Sequence, residues 1–373
     1  MIQNTTFKLL EYPQDWGLIA NDWLNLYNQC HSPCGFYHPI FIEAAQVLPP
    51  LLKPTHTVLG YKGEIPVFGL PIILKKSWGL LNQISFFGGL GFDHLAPLDN
   101  TEDFTATQEF FSYVKDNFHP AVIEGNALDL TYKELCERIC SKKRFNLFIR
   151  PFFRSPYLLM PSNKEELIKY LKTRSHINIQ YSVRRADKLG IEFRFLTNDN
   201  GGDKFSNAFN NLIKVHDARS HSLSRSSAFS ESISKNYYEL ICKMANKFGN
   251  VIWFTEAIYK DEVIGSLFGF VGKHRFYFYQ QGFLPKYSVF SIGRLLIYHT
   301  MLELINKNVF CFDFLRGAES YKFDWTSTSD FDFFIIMGTP FGGRVANEWL
   351  RLKRAIKRHG RFYGVRYRLF NKD

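Results

Sequence analysis

The chain has 373 residues, enough for about two domains, and 46% of them are hydrophobic, so real cores are expected and a disordered or collagen-like chain is excluded. Its six cysteines make no disulfide or zinc framework: Cys30 with Cys34 and Cys136 with Cys140 are spaced by four, but no second ligand pair completes either. Net charge is +11, and residues 342–373 hold ten Lys or Arg against Glu348 and Asp373, a net of +8, so the remainder is nearly balanced, which argues against a general nucleic-acid binder.

In chain order, residues 15–27 predict a helix with Trp16, Ile19, Trp23, Leu24 and Leu26 on its apolar faces. A turn-rich run from His31 to Pro39 leads to a helix over 39–47, which Pro49, Pro50 and Pro54 end. His56 to Leu74 predicts a hairpin with Gly63 in its turn. Tyr61-Lys62-Gly63-Glu64-Ile65 echoes Tyr259-Lys260-Asp261-Glu262-Val263, and Phe68-Gly69 echoes Phe268-Gly269, a faint internal repeat that suggests two halves of one fold. Gly88, Gly89 and Gly91 permit close backbone approach beside Asp93 and His94. A helix over 104–117, a strand over 121–128 and a helix over 132–141 follow. Lys142 to Pro156 is the expected junction, giving domains 1–155 and 156–373.

In the second half, Ser162 with Glu165 makes a capping box for a helix through Lys172. Ser175 opens another, bearing Arg184, Arg185 and Lys188. A strand over 191–196 and a helix over 206–219, with His216 and Arg219, precede the polar run 220–227, a loop over a cleft or plain surface. A helix over 237–248 and strands over 251–259, 263–271 and 275–281 come next. Ser288, Ser291 and Gly293 then open a helix that is apolar nearly all round to Ile305, so a buried helix is expected. Orphan amides at its start, with Arg294, suit an anion, though an ordinary capped helix fits the same residues. Strands over 310–314 and 331–337 follow, and from Arg344 onward Val345, Trp349, Leu352 and Ile356 recur at helical spacing opposite a basic face. No apolar run approaches the roughly 18 residues of a membrane span and no leader-like segment is seen; with free thiols, a cytoplasmic location is the expectation.

The order strand, strand, anion-binding turn, buried helix, strand resembles the acyl-CoA-binding half of the GNAT acetyltransferase fold. The residues that carry the resemblance are Gln281-Gly282-Phe283, Tyr287, Ser291-Ile292-Gly293-Arg294-Leu295-Leu296, and Phe312-Asp313-Phe314-Leu315-Arg316-Gly317-Ala318-Glu319-Ser320-Tyr321-Lys322 with Trp325. Ser175, Arg184, Arg185, His216 and Arg219 add an upstream part. More narrowly, the chain resembles the CelD-like branch, related to the Fem peptidoglycan transferases, and within it the nucleotide-sugar N-acyltransferases that act on dTDP-linked 3-amino-3,6-dideoxyhexoses.

The resemblance implies an α/β fold of two tandem GNAT-like domains, each a mixed sheet flanked by helices, with the acyl-CoA site in the second. It implies direct transfer of an acyl group, from acetyl-CoA or 3-hydroxybutyryl-CoA, to a sugar amine for bacterial surface polysaccharide, without a metal. Ser288, Ser291, Ile292, Gly293, Arg294 and Leu295 would hold the pyrophosphate. Ser266, Leu267 and Phe268, on a strand edge expected to be exposed, would hold the pantetheine arm. Asp313, His216, Glu319 and Asp93 are candidates for the general base, and Lys322, after Tyr321, would bring a cation to the reacting carbonyl or an acceptor phosphate. Phe36, Tyr37, Asp93, His94, Arg219 and Gln281 would meet the acceptor. Two other readings stay open: a Fem-like aminoacyl transferase using charged tRNA, and a non-catalytic scaffold for polysaccharide synthesis.

Overall fold

The computed structural model of the protein describes residues 4–77, 81–90, 92–119, 121–143, 145–174, 178–197, 204–249, 251–345 and 348. Ser175 and the amphipathic repeat at Trp349, Leu352 and Ile356 lie outside the described residues.

The elements run β1 (Thr6–Glu11), α1 (Trp16–Gln29), α2 (Pro39–Ala44), β2 (His56–Lys62), β3 (Ile65–Ser77), β4 (Leu81–Phe86), β5 (Leu98–Asp99), α3 (Thr105–Asn117), β6 (Ala121–Leu128), α4 (Leu130–Lys143) and β7 (Asn146–Leu159). They continue α5 (Lys164–Lys172), α6 (Ile179–Leu189), β8 (Glu192–Leu196), α7 (Lys204–Ser222), α8 (Ser232–Met244), β9 (Ile252–Tyr259), β10 (Glu262–Val271), β11 (Arg275–Phe283), α9 (Ile292–Asn306), β12 (Cys311–Asp313), α10 (Ser320–Trp325) and β13 (Ser329–Gly338). Helical spacing explains α1, whose Trp16, Ile19, Trp23 and Leu26 are all buried. α9 is buried around most of its circumference, as its apolar composition requires. The cap of α5 sits one residue later than Ser162 and Glu165 suggest: Asn163 accepts from the Glu166 amide (2.9 Å), and the Ser162 hydroxyl donates to Glu166 Oε2 (3.0 Å).

The expected junction over 142–156 is not a break. β7 runs through it, with Pro151 and Pro156 inside the strand, which is possible wherever the ladder does not need that residue's N–H. The chain divides into two units: unit 1 is Met1–Tyr37, Leu48–Phe152 and Asp332–Asp373; unit 2 is His38–Val47 and Phe153–Phe331. There are thus four crossings rather than one cut at 155/156.

Each unit builds the same sheet. In unit 1, β1, β2, β3 and β4 are antiparallel neighbours, β4 pairs parallel with β6, and β6 pairs antiparallel with β13. In unit 2, β8, β9, β10 and β11 are antiparallel neighbours, β11 pairs parallel with β12, and β12 pairs antiparallel with β7. The sixth strand of each sheet therefore comes from the segment that follows the other sheet's fifth strand. Helices flank both sheets. In unit 1, Phe68 stacks on Phe110 of α3, while a side chain at Gly69 would meet Trp23 and Leu26 of α1. In unit 2, Phe268 contacts Phe209 of α7 and Tyr238 of α8, while Leu267 lies in the core cluster with Leu295 and Leu296 of α9.

The internal echo marks corresponding hairpins, β2–β3 and β9–β10, but their turns are one residue out of step. Lys62 pairs with Ile65 in the first, whereas Tyr259 pairs with Glu262 in the second. Strand side chains alternate faces, so a one-residue slip exchanges them, and Phe68 and Phe268 face different helical layers. All six cysteines are free and buried.

Candidate active site in unit 2

The expected pantetheine edge at Ser266, Leu267 and Phe268 does not exist. β10 is an interior strand, paired with β9 on one side and β11 on the other through all three residues, and each is fully buried. Its glycines serve packing instead. A Cβ at Gly265 would stand 2.5 Å from Ile292 Cγ2, and one at Gly269 would stand 2.2 Å from the Phe276 ring.

The open edge is one strand over. β11 pairs with β12 only through Arg275, Phe276 and Tyr277. From Phe278 to Phe283 no described strand covers that side, because β12 ends at Asp313. Into the gap opens a cavity of about 680 Å³, within the range of small-molecule sites. Phe278, Tyr279, Gln280, Gln281 and Phe283 of β11 line it, together with Ser291, Gly293, Arg294 and Ile297 at the head of α9. The end of α7 with the loop after it contributes His216, Arg219 and Arg225, and the region after β12 contributes Glu319, Tyr321 and Trp325. Three guanidinium groups face one carboxylate, so the lining favours an anion.

The head of α9 adds directed donors. Ser291 takes a left-handed conformation (φ 57°) before the helix. Its own amide is spent on Ser288 O, and the Arg294 and Leu295 amides both return to Ser291 O. The Ile292 and Gly293 amides have no acceptor among the described residues, so two orphan donors remain where the helix dipole is positive. Of the expected pyrophosphate set, Ser291, Gly293 and Arg294 line the cavity. Ser288, Ile292 and Leu295 do not: Ser288 gives its carbonyl to the turn, and Ile292 and Leu295 are buried in the core. Arg294 also donates to Asp324 (2.9 Å), which steadies it. Arg219 lies over the Phe283 ring at 4.6 Å.

His216 brings a titratable ring to the cavity wall. Burial pushes its imidazole below the ordinary 6.5, so the ring is neutral near pH 7, and Nδ1 lies 2.9 Å from Ser227 Oγ. α7 passes so close to β11 that a Cβ on Gly282 would stand 2.4 Å from the His216 backbone nitrogen. Sequence spacing carries no sign of that approach. Gln281 Oε1 is a buried acceptor without a partner among the described residues, and its residue lines the cavity. The Tyr321 hydroxyl, raised by burial and by Glu319, stays protonated.

Two expected catalytic groups serve the scaffold. Asp313 is fully buried, accepts from Arg275 Nη1 (2.7 Å) and the Leu315 amide (2.7 Å), and does not line the cavity. Burial disfavours the Arg275 charge, but Asp313 outweighs that and raises it above its ordinary value, so this is a structural ion pair and not a base. Lys322 is 4% exposed. Its ammonium donates to the carbonyls of Leu315 (3.3 Å) and Arg316 (2.6 Å) and pairs with Glu319 Oε2 (3.0 Å). Three donors meet three acceptors, so no N–H is left for a reacting carbonyl. Glu319 lines the cavity but is tied to Lys322.

The expected acceptor residues divide between the units. Arg219 and Gln281 line the unit 2 cavity. Phe36, Tyr37, Asp93 and His94 belong to unit 1. Phe36 is buried and stacked on Phe92, and Tyr37 is buried with its hydroxyl donating to Phe87 O (3.2 Å), so both are core residues and offer no face to a ligand. Asp93 is fully buried, and His94 Nδ1 lies 3.0 Å from Asp332 Oδ1. Among the described residues, no group of His, Cys, Asp and Glu could hold a metal ion, and no helix is long and apolar enough to cross a membrane.

Residues 172–323 match the family described as an acetyltransferase (GNAT) domain. Among solved structures, FemX aligns with a TM-score of 0.60 at 10% identity, covering 85% of this chain and 95% of that one. A conserved protein of unknown function from Bacteroides thetaiotaomicron VPI-5482 aligns with a TM-score of 0.56 at 10% identity, covering 89% and 100%. No curated protein matches the chain. At that identity the alignments speak for the fold alone, and the fold agrees with the family match: it is an α/β fold of GNAT type, with a mixed sheet flanked by helices.

Proposed function

We propose that the protein is an N-acyltransferase that takes an acyl group from acyl-CoA, acetyl or short hydroxyacyl such as 3-hydroxybutyryl, in unit 2. The acceptor is the amine of a nucleotide-linked amino sugar, of the dTDP-3-amino-3,6-dideoxyhexose type. The observation that carries the reading is that Gly293, whose amide is an orphan beside that of Ile292, meets the uncovered edge of β11 in one cavity ringed by Arg219, Arg225 and Arg294. The amides and guanidinium groups hold the pyrophosphate. The edge from Phe278 to Phe283 receives the pantetheine amides as an added strand would. Phe278, Ile297 and Trp325 flank the acyl chain.

The neutral amine attacks the thioester carbonyl. A C–N bond forms, the C–S bond breaks, and the thiolate leaves and is protonated to free CoA. His216 takes the proton that the amine loses, directly or through one water. The second reading, a Fem-like transferase using charged tRNA, is favoured by the extent of the FemX alignment. Titrating the full chain separately with CoA, charged tRNA and a dTDP-sugar distinguishes them. The acyl-CoA reading expects saturable CoA binding that Arg219→Ala and Arg294→Ala each weaken about tenfold. Binding of charged tRNA with no affinity for CoA would replace it with the second reading.

A further inference from the structure

The unit 2 cavity holds a pair of side chains with chemistry of its own. His216 Nδ1 lies 2.9 Å from Ser227 Oγ, and both residues are half-buried and line the cavity. His216 is on α7, and Ser227 is on the loop after it, so the pair is made by the loop folding back over the helix. Two other histidine–hydroxyl contacts, His31 with Ser32 and His56 with Thr55, merely join chain neighbours. A hydroxyl and a neutral imidazole within hydrogen-bond reach are the parts of an activated nucleophile.

The protons are arranged to suit. Ser227 Oγ accepts from the Phe229 amide (3.2 Å), which holds the oxygen in place. Its single hydrogen goes to Nδ1 in the ring tautomer that carries its own hydrogen on Nε2. Burial keeps the free ring neutral, while Asp217 and Gln280 favour the charge it gains on taking a proton. Gln280 and Ala228 line the same cavity. The Ala228 amide, next in the chain after Ser227, has no acceptor among the described residues, so it is available to an oxyanion formed at the acyl carbon.

We propose that Ser227 and His216 form a nucleophile–base dyad that hydrolyses activated acyl esters and thioesters through an acyl-serine when no amine is bound. Oγ bonds to the acyl carbon as His216 takes its proton. The carbon–sulfur bond of a thioester breaks, and the departing thiolate takes that proton from His216. Water then attacks the serine ester as His216 takes a proton from it. The carboxylic acid leaves, and the proton returns to Ser227 Oγ. The dyad itself needs no coenzyme; only its use of acyl-CoA rests on the reading above.

The test mixes the full chain with p-nitrophenyl acetate, which needs no coenzyme site, and separately with acetyl-CoA. Acid-quenched samples are mapped by peptide mass spectrometry. Ser227 is expected to carry one acetyl group with each reagent. Ser227→Ala should remove that group and slow release of the leaving group about a hundredfold, and His216→Gln should slow it similarly. Ser226→Ala, one residue away, should behave as the parent does. Acetyl on Ser227 from p-nitrophenyl acetate alone keeps the dyad and counts against the acyl-CoA reading. The proposal is overturned if Ser227 of the parent protein carries no acetyl group with either reagent, or if Ser227→Ala or His216→Gln releases the leaving group at the parent's rate. A contact that only ties the loop to α7 would give that result. The map is made on the parent protein, so a variant that fails to fold does not decide the outcome.

Discussion

Lys322 shows how a residue can look catalytic in the sequence and be structural in the fold. Its place after Tyr321 suggests a cation held at the chemistry, yet its ammonium is consumed by the carbonyls of Leu315 and Arg316 and by Glu319. Those carbonyls belong to a turn with Leu315 (φ 56°) and Gly317 (φ 112°) in the left-handed region, and a side-chain pattern gives no notice of backbone acceptors. Lys322→Met should therefore cost about 1–3 kcal/mol of stability by leaving two carbonyls unmet, read by denaturant unfolding. The Glu319 contact adds little, because that carboxylate is 56% exposed. A catalytic lysine would instead give unchanged stability with lost turnover.

In the proposed reaction His216 is the base. Its pKa is lowered, so the base form persists above the folded-state value and is lost below it. The acid limb of kcat/KM should fall below pH 6.5, the ordinary histidine value, and should vanish in His216→Gln along with about a hundredfold of rate. An acid limb that survives this substitution would remove His216 from the chemistry.

At the level of elements, the strands and helices are legible because their periods are written in the side chains: α1 buries one stripe and α9 nearly every face. Which strand has a free edge is not written there. Ser266, Leu267 and Phe268 have the small and apolar residues that an exposed edge beside a ligand would use, but register puts β11 between β10 and the gap. The contact of Gly282 with α7 is likewise set by packing. Gly282→Ala should destabilise unit 2 by about 1–3 kcal/mol, because the obstacle is backbone at 2.4 Å, and should lower kcat by displacing His216. Gly269→Ala, whose Cβ meets the Phe276 ring at 2.2 Å, should cost comparable stability without that loss of kcat. Equal kcat in the two variants would mean that the α7 contact does not position His216.

Over the whole molecule, the hairpin echo is the visible trace of two corresponding sheets, although a one-residue turn offset hides the correspondence of Phe68 and Phe268. The origin of each sixth strand could not be read from the sequence, since β7 and β13 are apolar strands that would suit either sheet. Nor could the contrast between the two helix heads, of α3 and α9. Both helix heads begin after a left-handed residue, but Asp99 fills one while the other stays open, a contrast that depends on Thr101, Thr107 and Asp99 meeting in three dimensions. Among the described residues, the helix head with open amides is that of unit 2, which is why the proposed anion site is put there. Its most direct test is amide NMR of the full chain titrated with CoA: the Ile292 and Gly293 resonances should shift saturably while those of Thr105, Ala106 and Thr107 stay in place. Saturable shifts at the head of α3, with Ile292 and Gly293 unmoved, would contradict the account.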